Sequence, residues 1–332
     1  MRWAAVALAA ALAVLSPYSD ALAQAEPVEV RARPVTHFRL GSDERFFGPL
    51  EFVGGFEMRS PERRFGQFSA LRFLEPGKKF AGVADHGFWF FGSILRDDDL
   101  VPVGVADFTM QAMLGDDGEV IESKLDKDAE ALDISGDVAT VAFERRARIT
   151  EYALEPADMG KPVRHLDIVV PRHELRSNQG FETLVRAPQD GPLQGARLVI
   201  AERSIDEEGN LFSAILEGPG RGQFKVVRSD DFDVTDGAFL PDGDLLLLER
   251  RFSLASGVAM RLRRIDGASV RAGALLDGAV LMEANMGYQI DNMEGLDVWR
   301  RSDGKLILSL LSDNNQSFLQ RTLYLEFIMH DE

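Results

Sequence analysis

Residues 291–315 read DNMEGLDVWRRSDGKLILSLLSDNN. The stretch runs from an acidic and amide cluster through an apolar strand to SDG, then through a second apolar strand to another acidic and amide cluster. SDG is turn chemistry, so the two strands form a hairpin. A hairpin needs polar residues at its turn but has no need of carboxylates at both open ends. The pattern recurs. Residues 128–146 read DAEALDISGDVATVAFERR, 180–203 read GFETLVRAPQDGPLQGARLVIAER, and 234–251 read VTDGAFLPDGDLLLLERR. Residues 66–87, GQFSALRFLEPGKKFAGVADHG, form the most divergent copy.

The copies start near Ser69, Glu130, Glu182, Asp236 and Glu294, spaced by 61, 52, 54 and 58 residues. That period suits a four-stranded propeller blade with generous loops. Strand-like runs lie between the copies, among them FWFFGSIL at 88–95, VPVGVADFTMQAML at 101–114 and VAMRLRRI at 258–265. Helical periodicity is weak, with room for short helices only near 155–160 and 171–179. The expected fold is therefore an all-β propeller of five blades, or six if the N-terminal part builds another. The alternative, a β-sandwich, does not explain the repeat. Only RTLYLEFIM at 321–329 follows the last copy, while VTHFRL at 35–40 and LEFVGGFEM at 50–58 precede the first. An N-terminal strand is therefore expected to complete the last blade and remove free sheet edges. FWFF at 88–91 reads as a strand packed between blades, with a ligand platform as the rival.

In an antiparallel hairpin, the start of the first strand lies beside the end of the second. Glu130 is thus expected near Glu144, Glu182 near Glu202, Asp236 near Glu249 and Glu294 near Asp313. With Asp85, beside His86, these make a ring of up to nine carboxylates at one rim of the channel, interleaved with Arg145, Arg203, Arg250, Asn292 and Asn314. So many like charges are costly unless cations compensate. Two readings stay open. Each carboxylate pairs with an arginine or a strand-end N–H in a structural lattice, or some of them bind a hard cation. Oxygen ligands without cysteine suit Ca²⁺, and less so Mg²⁺. The candidate metal ligands are Glu130, Glu182, Glu294, Asp313 and Asn292. The candidate catalytic groups are Glu294, Asp313, Asp85 and His86, and the candidate anion holders are Arg145, Arg203, Arg250 and Asn314. No organic cofactor is expected. The five histidines lack HExxH spacing, and no G-x-S-x-G elbow or phosphate-cradling glycine loop occurs.

The chain has 332 residues, 45% hydrophobic and 27% charged, with formal net charge -17. This composition is globular, and its charge disfavours nucleic acid and anionic membranes. The lack of cysteine excludes disulfides and thiolate metal sites. Arg2 followed by WAAVALAAALAVL and a small-residue site at 21–25 reads as a signal peptide over 1–23, with cleavage at 25 the alternative. A periplasmic or secreted protein without stable membrane insertion, monomeric and acting on a small molecule, is the expectation.

Three stretches together, SALRFLEPGKKFAGVADHGFWF, DAEALDI…VAFERRARITEY and DNMEGLDVW…LSLLSDNNQSFLQRTLYLEF, resemble the phytase-like domain described as "esterase-like activity of phytase". The resemblance covers roughly 48–328. With the signal peptide, the chain divides into a leader, a segment over 24–47 holding a closing strand, and a phytase-like propeller domain over 48–329. It implies an exported bacterial β-propeller that hydrolyses phosphate esters or other esters. The expected acidic rim is similar in kind to that of calcium-dependent propeller phytases. The RHGxRxP signature of histidine acid phosphatases is absent. Lactonase-like chemistry and a non-catalytic binding propeller are the alternatives.

Overall fold

The computed structural model describes residues 24–330, so the expected signal peptide lies outside the described residues. The described chain is all β, with a single 3-10 turn at Gly267–Ser269. The segments 155–160 and 171–179 form turns and bends rather than helices. Both are rich in polar residues and have no apolar stripe to bury, so neither can gain from packing as a helix. Among the described residues no helix is long and apolar enough to cross a membrane.

The strands form five sheets, one per blade. Each blade begins with an inner strand: Phe68–Glu75, Ala129–Ser135, Phe181–Arg186, Asp233–Phe239 and Asn292–Arg300. Each pairs antiparallel with the next strand in sequence: Lys79–Ala84, Val138–Phe143, Arg197–Ile205, Leu245–Ser253 and Leu306–Asp313. The fifth blade is completed from the far end of the chain. Leu50–Arg59 pairs with Thr322–Met329, and Arg31–Val35 covers its outer edge. Of the two N-terminal runs, 50–58 supplies the strand that completes the blade, so the closing strand lies outside the 24–47 segment expected to hold it, and that segment contributes the edge strand Arg31–Val35. The run expected at 35–40 is displaced, since only Val35 belongs to a strand. Phe38 instead turns inward, fully buried among Phe47, Phe52 and Phe327.

Alternation along the strands sends side chains into the interfaces on either side of each blade. Trp89 and Phe91 pack against Leu132, Val141 and Phe143 between blades one and two. Phe90, between them in sequence, packs with Phe68, Phe56 and Tyr324 between blades one and five. The FWFF run is thus inter-blade core. The other interfaces are closed in the same way, for example by Leu246, Leu248, Met293 and Leu296 between blades four and five.

One arginine crosses the axis. Arg72 of blade one donates to both carboxylate oxygens of Asp236 in blade four, at 2.7 Å each. It also donates to the backbone carbonyl of Leu296 in blade five at 2.9 Å. Leu296 N–H in turn donates to Asp236 at 2.8 Å. This buried, fully hydrogen-bonded pair ties three blades together and stands below the acidic mouth of the channel.

Candidate functional site: a carboxylate well on the axis

The inner strand of every blade carries a register shift near its start. The unpaired residues are Ser69, Glu130, Glu182, Thr235 and Glu294. A bulge breaks the two-residue alternation and re-aims one side chain. Four of the five bulge residues, all but Thr235, line a cavity of about 260 Å³. A second ring comes from the end of the second strand: Asp85, Glu144, Glu202, Arg250 and Asp313. Their equivalence follows from register. The N–H groups of Asp85, Glu144 and Glu202 donate to the carbonyls of Gln67, Asp128 and Gly180. Arg250 and Asp313 stand opposite Asp233 and Asn292. With Asp128, the cavity is lined by eight carboxylates and two guanidinium groups, those of Arg145 and Arg250.

Blade four departs from the expected ring. Its bulge residue is Thr235, whose hydroxyl donates to the Met293 carbonyl at 2.9 Å. Asp236 lies one position further on, at the axis with Arg72. Glu249 is turned away from the well, 2.6 Å from Arg261 and 2.5 Å from Arg263, all three buried. Neither carboxylate lines the well. Arg250 occupies the position filled by acids in the other blades, and it reaches Glu202 at 3.1 Å and Glu294 at 3.3 Å.

The other expected site residues divide. Arg145 is at the well, paired with Asp128 at 2.6 Å. Arg203 instead forms an ion pair with Asp233. Asn292 donates to Glu294 at 2.5 Å from behind. Asn314 accepts from the Gln316 N–H, and Asn315 takes its place on the wall. His86 stacks on Phe88, its Nε2 3.0 Å from the Arg64 carbonyl and its Nδ1 3.6 Å from Asp85, outside the lining. Asp313 accepts from the Phe68 N–H at 3.2 Å, across the blade five–one seam.

Two groups of carboxylates converge closely enough to share an ion: Asp128 with Glu130 and Glu144, and Glu144 with Glu182 and Glu202. Glu144 belongs to both. It accepts from the Gly180 N–H at 2.9 Å. A Cβ at Gly180 would stand 3.0 Å from Glu144 Cγ, so a larger residue there would press the Glu144 side chain out of its place by a few tenths of an ångström. The metal-grade geometry therefore sits on blades two and three, whereas Glu294 faces Arg250 and Asn292. Asp128 was hidden in the sequence because blade two alone has an aspartate there that faces the well; only the register picks it out.

Burial, then like-charge neighbours, push these acids up. Glu130 and Glu182 rise well above the usual carboxylate range, each by burial first and then by Glu144 or Glu202. Burial pushes Glu144 and Asp313 up to about 7, against hydrogen bonds that partly restrain them. Glu294 reaches about 8 through burial, despite Arg250. The donor set fits a hard divalent cation: it is all oxygen, and Asp85 Oδ1 is buried at the well without a hydrogen-bond partner.

These features define a class, a five-bladed β-propeller with a carboxylate well at one mouth of its channel. The chain belongs to the phytase-like family described as "Esterase-like activity of phytase", which matches residues 63–316. No curated protein matches it in sequence. Among solved structures it is similar to an endo-arabinase from Bacteroides thetaiotaomicron VPI-5482. That match has 11% identity and a TM-score of 0.50, covering 81% of this chain and 95% of the other. A Myxococcus xanthus glutaminyl cyclase matches at 12% identity and TM-score 0.42, covering 92% of this chain and all (100%) of that one. A bifunctional GH43-CE protein of Bacteroides eggerthii matches at 13% and 0.46, covering 79% of this chain and 33% of the other. At these identities the likeness concerns the fold alone.

Proposed function

We propose that this phytase-like propeller is an exported hydrolase of phosphate or related esters that works with a divalent cation, Ca²⁺ in preference to Mg²⁺. The observation that carries the reading is the convergence of Asp128, Glu130 and Glu144, and of Glu144, Glu182 and Glu202, in two overlapping groups that line one cavity. Mg²⁺ demands a strict octahedron and keeps its waters, while Ca²⁺ accepts many carboxylates in irregular geometry. When bound, the cation polarises the ester oxygen and favours ionised water.

The chain's own residues supply the rest. Arg250 and Arg145 border the well and hold the anionic part of the substrate. Asp313, with a pKa of about 7 and one oxygen fixed by Phe68 N–H, is suited to take or give a proton near neutral pH. Glu294, held by Asn292 and Arg250, orients the guanidinium. Export, with a periplasmic or secreted location, rests on the N-terminal sequence.

The test is turnover by purified protein on a panel of phosphate monoesters, carboxylic esters and lactones, with Ca²⁺ or with EDTA. The expected result is Ca²⁺-dependent release of phosphate or acid that falls at least about 100-fold in Glu144→Gln. Lactone turnover alone would move the reading to lactonase chemistry, and no turnover on any substrate would leave a binding propeller.

A further inference from the structure

A second, larger cavity of about 480 Å³ opens beside the well on blade two. The turn after Phe143 separates the two. Arg145 and Asp128 face the well, whereas Arg146 and Asp126, paired at 2.7 Å, face this cavity. Two groups lie deep in it. Tyr152 is 1% exposed, and its hydroxyl has no hydrogen-bond partner. Its ring packs edge-on against Trp89, at 5.2 Å between centroids. The pKa of Tyr152 is raised by burial, so the hydroxyl keeps its proton. Beside it, the half-buried Arg148 guanidinium lies 3.6 Å over the Phe143 ring. It donates only to the carbonyls of Asp126 and Arg146. Among the described residues Arg148 has no carboxylate within ion-pair distance. The lip has the opposite sign, with Asp116, Asp117, Glu119 and Glu122 all exposed. Asp116 holds His165 Nε2 at 2.8 Å, and His165 Nδ1 lies 3.1 Å from Thr150 Oγ1.

A half-buried cation beside a buried, unpartnered hydroxyl suits a carboxylate. An acidic lip suits an ammonium group. We propose that this cavity binds a small zwitterion, an α-amino acid or a dipeptide, with its carboxylate on Arg148 and Tyr152 and its ammonium group among the lip carboxylates. A buried hydroxyl without a partner is costly, and a bound carboxylate would satisfy it. The site does not depend on the proposed hydrolase reading or on a cation in the well.

The test is isothermal titration of the full chain in EDTA with a panel of free amino acids and dipeptides, beside their N-acetyl and C-amide forms. At least one free zwitterion is expected to bind. Tyr152→Phe, which keeps the ring against Trp89, should weaken it about 10-fold, and Arg148→Gln up to about 100-fold. Blocking either end of the ligand should cost at least about 10-fold. The proposal is overturned if no member of the panel binds at about 10 mM, a concentration that detects even millimolar affinity. It is equally overturned if binding survives both substitutions or if the blocked forms bind as well as the free ones.

Discussion

Arg250 and Asp236 each sit in a blade position where the pattern of acids breaks, and their partners set what each does. Asp236 is fully buried and shares both oxygens with Arg72. Asp236→Asn would strand a buried guanidinium, so an equilibrium denaturation midpoint should report a loss of about 3–5 kcal/mol. Added Ca²⁺ should not restore it, because the pair lies outside the well. Arg250 is the only inward-facing cation among the second-ring residues, and it is 28% exposed in its side chain. Arg250→Gln leaves Glu202 and Glu294 uncompensated but open to the well's water, for an expected loss of about 2 kcal/mol. Here saturating Ca²⁺ should recover most of the stability. Equal rescue of both variants would contradict the separation of axis pair from well.

At the scale of elements, the bulge decides which residue faces the channel. The repeat was legible because Glu130, Glu182 and Glu294 stand at equivalent bulges and the hairpin rule brings Glu144, Glu202 and Asp313 beside them. Blade four was misread by one residue. DVTDGAF offers an aspartate where the other copies have glutamate, yet the bulge falls on Thr235. A one-residue shift exchanges the two faces of a strand, and hydrophobic pattern alone does not locate a bulge. The Arg72–Asp236 link joins residues far apart in sequence, and no local signal announces it. The preference for blades two and three was equally invisible, because it includes a contact across the seam, the Gly180 N–H donating to Glu144. The other blades have Gln67, Asp128, Asp233 or Asn292 at this position. Gly180→Ala should leave the fold intact and weaken Ca²⁺ binding about 10-fold by displacing Glu144. Circular dichroism with a Ca²⁺ titration checks both halves of that expectation.

For the whole molecule, the well places a cluster of hard-to-ionise acids on the axis of a ring closed by its own N-terminal strand. The folded-state pKa of Glu144 and Asp313 is about 7 and that of Glu294 about 8. The unfolded values are near 4. The folded chain therefore holds more protons than the unfolded chain between these limits. The resulting stability is fully present below about pH 4 and is lost as pH rises through about 7–8. In EDTA the melting temperature should fall across pH 5 to 9. Saturating Ca²⁺ should flatten that decline, since the ion replaces the protons. A melting temperature that rises over this range in EDTA would mean the acids are already compensated.

The most direct test of whether the well binds a cation is calorimetric titration of the EDTA-stripped protein with Ca²⁺ at pH 8. The expected result is saturable binding of at least one ion, proton release that grows as the pH is lowered toward 7, and a raised melting temperature. All three should be lost in Glu144→Gln, the residue common to both carboxylate groups. No binding heat and no thermal shift in the unmodified protein would contradict it, and so would undiminished binding by Glu144→Gln.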